Sequence, residues 1–319
     1  MTPKVALITG GASGMGLAVA TALSELADWE THILDINSER GSQAASTLPR
    51  TTFHHADVTK YNTLSEAFQN TFDTSKRLDF VFANAGMIER FNFYDPCPAQ
   101  TGEAVTPPPE PDLLSIDADL KGVILTTYLA QHYFRASPDQ GKGASIVMTA
   151  SCGGLYPSYY SPLYSSAKFG VVGFMRSIAQ HFKARGVRAN AICPGIVRTN
   201  LVDTKGWSAF PQHRFTEMDS VVRVVLRLAG VDAGPGRAHD DDDGQGAAVG
   251  VGVGVGEEVS GLTDAAGIHL PTERLFGLAV EISDSGVYFR EQHAFCDEGM
   301  REVMDATVLE NQVGAILDQ

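Results

Sequence analysis

Residues 5–16 read Val-Ala-Leu-Ile-Thr-Gly-Gly-Ala-Ser-Gly-Met-Gly, and this stretch decides the fold. It opens as a short apolar run and turns glycine-rich, and over residues 15–27 apolar side chains recur at helical spacing. Strand, glycine loop and helix together suit a dinucleotide. Glycines permit the tight turn and let the backbone approach a pyrophosphate, while the helix offers free N–H groups and its positive dipole end to the phosphates. A bare glycine triplet also occurs in ordinary turns, so the flanking strand and helix give this one its meaning.

Working outward, the alternation continues. Short apolar runs at 32–34, 78–83, 145–149 and 187–193, and the strand-like 52–55, alternate with helical patterns at 38–48, 61–72, 113–134 and 162–185. Residues 275–282 read as a last strand, and the tail 283–319 is aromatic early and helical later. Near-continuous apolar strands separated by helices predict an α/β fold: a doubly wound parallel sheet of Rossmann type between two helical layers. Residues 1–319 therefore read as one domain with two insertions and a C-terminal extension at 283–319. The segment 96–111 holds six prolines and predicts an irregular loop. The segment 233–261 runs from four consecutive aspartates into alternating valine and glycine. It offers little to pack and predicts a disordered or solvated loop.

The 319 residues are 44% hydrophobic and 19% charged, the composition of a chain with a real core. A net charge of -14, partly from the aspartate run at 240–243, disfavours a nucleic-acid partner, because phosphate binding wants clustered Lys and Arg. Cys97, Cys152, Cys193 and Cys296 form no CxxC pair and match no zinc spacing, so they read as reduced thiols. No metal site is expected, and His54 and His55, straddling the faces of a strand end, read as packing or surface residues. The first residues run straight into a strand without room for a signal peptide, and there is no apolar run of 18 or more residues. The expectation is a soluble cytoplasmic protein with no membrane span.

Asp35 ends the second strand, 19 positions beyond Gly16. A carboxylate there accepts hydrogen bonds from a ribose with free hydroxyls and repels a 2′-phosphate. Ile36 and Asn37 are not basic, and the glycine loop holds no Arg or Lys, so NAD is favoured over NADP. The competing reading is that Asp35 caps the next helix.

Tyr164 and Lys168 stand four residues apart at the start of a predicted helix, on one face. A nearby ammonium favours a phenolate and lowers the tyrosine pKa from about 10. Such a phenol can exchange a proton with an alcohol or a carbonyl near neutral pH. Ser151 follows the strand 145–149, at the strand ends where α/β sheets hold ligands, and could hydrogen-bond the reacting oxygen. A lone YxxxK is usually surface decoration; the serine, the helix and the glycine loop together make it specific.

Residues 9–16 (TGGASGMG), Asp57-Val58, Asn84-Ala85-Gly86, Ser151, the YSSAK at 164–168 and Pro194-Gly195-Ile196-Val197-Arg198-Thr199 resemble, in order, the motif set of the short-chain dehydrogenase/reductase family. The likeness spans roughly residues 4–230 and resumes near 275. The stretch 164–199, with NAICPGIVRTNL continuing to 201, is most similar to the branch of NAD-dependent 15-hydroxyprostaglandin dehydrogenase-like members. The resemblance implies a dehydrogenase or ketoreductase acting on CH–OH, passing a hydride between NAD(H) and a small-molecule substrate while Tyr164 handles the proton. A lipophilic secondary alcohol or ketone of lipid or secondary metabolism would fit. It implies that Gly10, Ser13, Gly14, Met15 and Gly16 cradle the pyrophosphate, that Asp35 holds the adenosine ribose, and that Asp57 and Val58 flank the adenine. Asn84, Ala85 and Gly86 would lie beside the cofactor, Tyr164 and Lys168 at the nicotinamide ribose, and Pro194, Gly195, Ile196 and Thr199 at the nicotinamide. By the same analogy the long helices at 113–134 and 162–185 would pair two subunits into a homodimer or homotetramer.

One position departs from the family. Asp119 precedes Leu120-Lys121-Gly122, where an Asn is usual and helps bind a proton-relay water. An Asp could still hold the water through its carbonyl, and its charge could shift the Lys168 and Tyr164 pKa values. Trp207, Phe210 and Phe215 fall where the family places a substrate lid and would either line an apolar pocket or pack on the body. Two other readings compete: a dinucleotide-binding regulator without catalysis, and an epimerase or dehydratase of the extended family, which usually has a different glycine spacing and a larger substrate domain.

Overall fold

A computed structural model describes residues 2–94, 107–202, 204–231 and 260–308. Residues 96–106 of the proline-rich segment, 233–259 of the acidic, glycine-rich one and Cys97 lie outside the described residues.

Five of the six residues of β1 (Lys4–Thr9) are buried. After α1 (Gly14–Ser24) come β2 (Trp29–Asp35), α2 (Ser38–Thr47), β3 (Thr51–His55), α3 (Tyr61–Ser75) and β4 (Phe80–Ala83). Next are α4 (Leu114–Ile116), α5 (Gly122–Ala136), β5 (Ser145–Thr149), α6 (Pro162–Ala184) and β6 (Arg188–Pro194). The chain continues through α7 (Thr204–Ser208), α8 (Met218–Leu228), the separate antiparallel pair β7 (Gly261–Thr263) and β8 (His269–Pro271), then β9 (Ala279–Ser283), β10 (Gly286–Arg290) and α9 (Glu298–Asp305).

The main sheet has eight strands in the order β10-β9-β6-β5-β4-β1-β2-β3, parallel except for β10. Its strand order reverses between β1 and β4, where open α/β sheets bind ligands beyond the carboxyl ends of the strands. Every strand residue of β4 and β5 is buried, as expected with helices on both faces. One apolar cluster packs Leu7, Val81 and Ile146 with Phe68 of α3, Phe134 of α5 and Met175 of α6. The other packs Ile8, Ile33 and Phe82 with Leu23 of α1 and Val225 of α8.

The structure differs from the sequence reading in four places. The strand expected from residue 275 begins at Ala279, because Gly277 sits in the left-handed region (φ 68°) and turns the chain after the buried Leu275. The early tail is strand: Asp284 and Ser285 reverse the chain, and Tyr288 and Phe289 pair with Glu281 and Val280. The helix expected whole over 113–134 carries a π-helical turn, Asp117–Lys121, between α4 and α5. Gly261, read as the end of the loop insertion, instead opens β7.

Candidate active site

The parallel topology gathers the motifs along one edge. Gly10 follows β1, Asp35 closes β2, Asn84 follows β4, Ser151 lies two residues past β5, and Pro194 ends β6. The glycine loop is closely braced. A Cβ on Gly16 would lie 2.2 Å from the Gly10 carbonyl oxygen, and one on Gly11 would lie 2.6 Å from Ile33 Cβ. Gly10 (φ 66°) and Gly14 (φ 54°) take left-handed backbone. Ser13 precedes α1 without using its side chain as a cap, and no acidic residue sits in the first helical turn. Unclaimed N–H groups and a dipole end thus face the loop, a donor set that fits phosphate oxygens.

The Asp35 carboxylate accepts from Ala12 N–H at 3.1 Å and from Asn37 N–H at 2.9 Å. It does not cap α2; Asn37 does, accepting from Arg40 N–H at 2.9 Å. A carboxylate fixed beside the glycine loop fits a ribose diol, so the residues present suit a dinucleotide.

Other motif residues are held by neighbours. Asn84 donates through Nδ2 to the Thr9 carbonyl (3.2 Å) and accepts from Thr149 Oγ1 (3.2 Å), bracing β1, β4 and β5 together. Ala85 donates its N–H to Thr9 Oγ1 (3.1 Å). One oxygen of Asp57 takes the Thr59 N–H (2.9 Å) and hydroxyl (2.7 Å), and Val58 packs where a side chain on Gly122 would fall. Gly195 donates its N–H to the Ile282 carbonyl (2.8 Å), and Ile196 accepts from Thr216 N–H (2.7 Å). Thr199 packs against Gly14 and accepts from Trp207 Nε1 at 3.1 Å. Trp207 meets Phe210 and Phe215 ring to ring, with Arg198 stacked 4.0 Å over Phe215.

Ser151, Tyr164 and Lys168 converge. The Ser151 hydroxyl accepts from Gly153 N–H at 3.0 Å, and a side chain on Gly153 would fall 3.3 Å from the Tyr164 ring and 3.5 Å from Ser151 Oγ. Lys168 Nζ, buried, donates to the Thr149 carbonyl at 3.0 Å and lies 5.5 Å from the Tyr164 ring centre. It also contacts Asp119 Oδ2 at 3.3 Å, as an ion pair without the alignment of a hydrogen bond. Asp119, wholly buried in the π-helical turn, accepts from Met87 N–H through Oδ1 at 2.7 Å. Gly86 leaves room for this pair, since a Cβ would lie 2.9 Å from Asp119 Oδ1 and 3.4 Å from Lys168 Nζ.

Charge in this pocket follows from burial. Desolvation lifts the Asp119 carboxyl above its ordinary range, against the pull of Lys168 and the Met87 N–H. Burial alone would discharge Lys168, but the charges of Asp119 and Tyr164 reverse this and hold its pKa above the usual value. The Tyr164 phenol departs from expectation: desolvation raises it, Lys168 and the Ser151 hydroxyl pull it down, Asp119 pushes it up, and the net shift is upward. The lysine alone does not make this phenol acidic, because the phenol is buried and the Asp119 carboxylate adds its charge.

Two features escaped the sequence. Glu89 accepts from the N–H groups of Leu163 (2.9 Å) and Tyr164 (3.1 Å) through Oε2. Elsewhere, Tyr156 donates to Glu281 at 3.2 Å, Arg290 closes a tight pair with the same carboxylate, and Cys152 Sγ lies 3.9 Å from Ser151 Oγ. Neither has a local spacing signal; each needs residues 74 or more positions apart.

Residues 4–207 match the family model described as short chain dehydrogenase. The chain belongs to the short-chain dehydrogenase/reductase family, a family of oxidoreductases. It is 64% identical over 304 residues to the short-chain dehydrogenase/reductase prx7 of Penicillium rubens, covering 95% of this chain and 100% of that protein. It is 33% identical over 209 residues to human 15-hydroxyprostaglandin dehydrogenase [NAD(+)], covering 63% of this chain and 71% of that one. Among solved structures it is similar to levodione reductase, at TM-score 0.59 and 27% identity, covering 72% of this chain and 91% of that one. Among the described residues no helix is long and apolar enough to cross a membrane.

Proposed function

We propose that the protein interconverts a lipophilic secondary alcohol and its ketone with NAD(H), Tyr164 carrying the proton. The observation that carries this reading is the convergence of Ser151, Tyr164 and a charged, buried Lys168 at the strand ends, beside a glycine loop built for phosphate. Bound NAD(H) would take or give the hydride at the substrate carbon. Ser151 would hold the reacting oxygen, and Tyr164 would take the hydroxyl proton in oxidation and return it in reduction. Lys168 would favour the phenolate and bind the nicotinamide ribose, and Asp119 would keep Lys168 charged. Gly10, Ser13, Gly14, Met15 and Gly16 would hold the pyrophosphate, Asp35 the adenosine ribose, Asp57 and Val58 the adenine side, Asn84, Ala85 and Gly86 the strand end beside the cofactor, and Pro194, Gly195, Ile196 and Thr199 the nicotinamide.

Asp35 supports NAD over NADP, since a 2′-phosphate would meet a carboxylate already fixed by two N–H groups. The relative named with NAD(+) agrees. The cluster of Trp207, Phe210 and Phe215 against Thr199 supports a lipophilic substrate. Ile124 and Tyr128 on α5 and Phe169 on α6 are exposed, which supports pairing of these helices in a homodimer or homotetramer. The free thiols Cys152, Cys193 and Cys296 suit a reducing cytoplasm.

Absorbance at 340 nm with NAD or NADP, against a panel of secondary alcohols and ketones, tests the proposal. Turnover of lipophilic members with NAD is expected. Preference for NADP would overturn the Asp35 argument, and tight NAD binding without turnover on any member would leave only the regulatory reading.

A further inference from the structure

The catalytic helix begins without a cap of its own. Ser161, at the capping position of α6, gives the helix only its backbone carbonyl, which accepts from Ser165 N–H at 3.0 Å; its hydroxyl makes no cap and pairs with Ser158 Oγ at 2.8 Å. Pro162 has no N–H to satisfy, and no acidic residue lies in the first turn. The first two N–H groups that need an acceptor belong to Leu163 and Tyr164. Both are taken by one oxygen of Glu89, 74 and 75 residues away, at 2.9 and 3.1 Å.

Glu89 stands on the loop that leaves β4, and the same loop is fixed elsewhere in the site. Asn84 ties it to β1 and β5, and Met87, two residues before Glu89, gives its N–H to Asp119. The second oxygen, Glu89 Oε1, is buried and has no hydrogen-bond partner. A buried carboxylate oxygen left bare is unfavourable, so the geometry is kept against a local cost. It is kept where a negative charge gains most, at the N-terminus of a 23-residue helix.

We infer that Glu89 is a positioning residue for the reaction: it replaces the missing local cap of α6 and sets the Tyr164 backbone relative to the loop that carries Asn84 and Met87. This rests on the assignment of Tyr164 as the proton carrier. A phenol displaced by a fraction of an ångström from the reacting oxygen loses rate without losing cofactor affinity, because rate depends far more steeply on near-attack geometry.

Two variants and two readouts test this. Glu89→Ala removes the acceptor; Glu89→Gln keeps an amide oxygen for both N–H groups and removes the charge. Expected for Glu89→Ala is a kcat lower by about tenfold to a hundredfold, with NADH affinity within about twofold of the parent. Expected for Glu89→Gln is a kcat within about threefold of the parent, as an acceptor is the main requirement. Amide hydrogen exchange across 163–166, which needs no turnover, should quicken at least about fivefold in the alanine variant and little in the glutamine variant. Unchanged kcat in Glu89→Ala overturns the inference, as do equal losses in both variants or an NADH affinity that falls in step with kcat. If the parent turns over nothing, the proposed function fails while exchange still decides: unquickened amides in Glu89→Ala remove the positioning role, and quickened amides restored by Glu89→Gln retain it.

Discussion

His32 lies fully buried in β2, its Nδ1 2.9 Å from His54 Nε2 and its Nε2 3.1 Å from both Glu30 and Ser75. Lys168 is also buried, in α6, 3.3 Å from Asp119 and 3.0 Å from the Thr149 carbonyl. Both are bases taken out of water, yet burial lowers the histidine pKa and the lysine ends above its ordinary value. The difference is the counter-charge. Asp119 has no exposed side-chain surface, so little solvent screens its field on Lys168, whereas the Glu30 side chain is 28% exposed and its field is screened by solvent. Next to His32 stands another base, His54, whose own pKa is lowered to about 4 by burial and by His32. The same desolvation thus yields a neutral, structural cluster in one place and a charged, chemical one in the other.

The largest expected effect comes from taking the proton carrier out of the charged cluster. Tyr164→Phe should lower kcat by about a hundredfold to ten-thousandfold, with NADH binding kept, as stopped-flow and fluorescence titration would show. Full activity in that variant would make the charged cluster as structural as the neutral one.

Next in size is the loss of the counter-charge. Asp119→Ala leaves Lys168 buried and unpaired, and breaking such a pair costs about 3–5 kcal/mol of stability, read from urea unfolding. Glu30→Gln, at the half-open histidine cluster, should cost far less. Equal losses would show that the exposure of the carboxylate does not set these charge states.

A subtler change keeps the shape and removes only the charge. Asp119 raises the Tyr164 pKa, so Asp119→Asn should let the phenol lose its proton at lower pH. The ascending limb of the pH profile for alcohol oxidation should therefore move toward acid. A limb that stays in place would remove Asp119 from the titration, and one that moves toward alkali would mean Lys168 had discharged.

How much of this could be read from the sequence depends on distance along the chain. The glycine loop, Asp35 and the Tyr164–Lys168 pair are local patterns, and the structure places each at the strand ends where the alternation of elements puts it. The π-helical turn around Asp119 has no pattern of its own, and the Asp119 carboxylate meets Lys168 and Met87 across 49 and 32 positions. Glu89 is silent for the same reason. β10 was legible in part, since Val287, Tyr288 and Phe289 follow the turn residues 284–286, but the aromatic residues alone do not show that they pair with β9. For Tyr164 the sequence showed that Asp119 could shift the phenol, but not the larger cause, desolvation, because a lysine four residues on says nothing about how deeply the ring is buried.

The neutral cluster makes the smallest prediction. Unfolded, His32 and His54 take up protons near pH 6.5; folded, both resist them, His54 down to about 4. Below about 6.5 the unfolded chain binds more protons than the folded one, so stability is full above that pH and falls as pH drops toward 4. A single proton contributes at most about 1.4 kcal/mol per pH unit, and less for His54, which stays partly open to solvent. His54→Phe removes one of these protons from the balance and should flatten the fall in the urea midpoint between pH 6.5 and 4.5. The same variant leaves Asp119, Lys168 and Tyr164 untouched, so the pH profile of turnover should not move. A parent and variant that lose stability in parallel would assign the acid sensitivity to carboxylates instead, and the contrast between a base silenced by burial and one kept charged by its partner would rest on Lys168 alone.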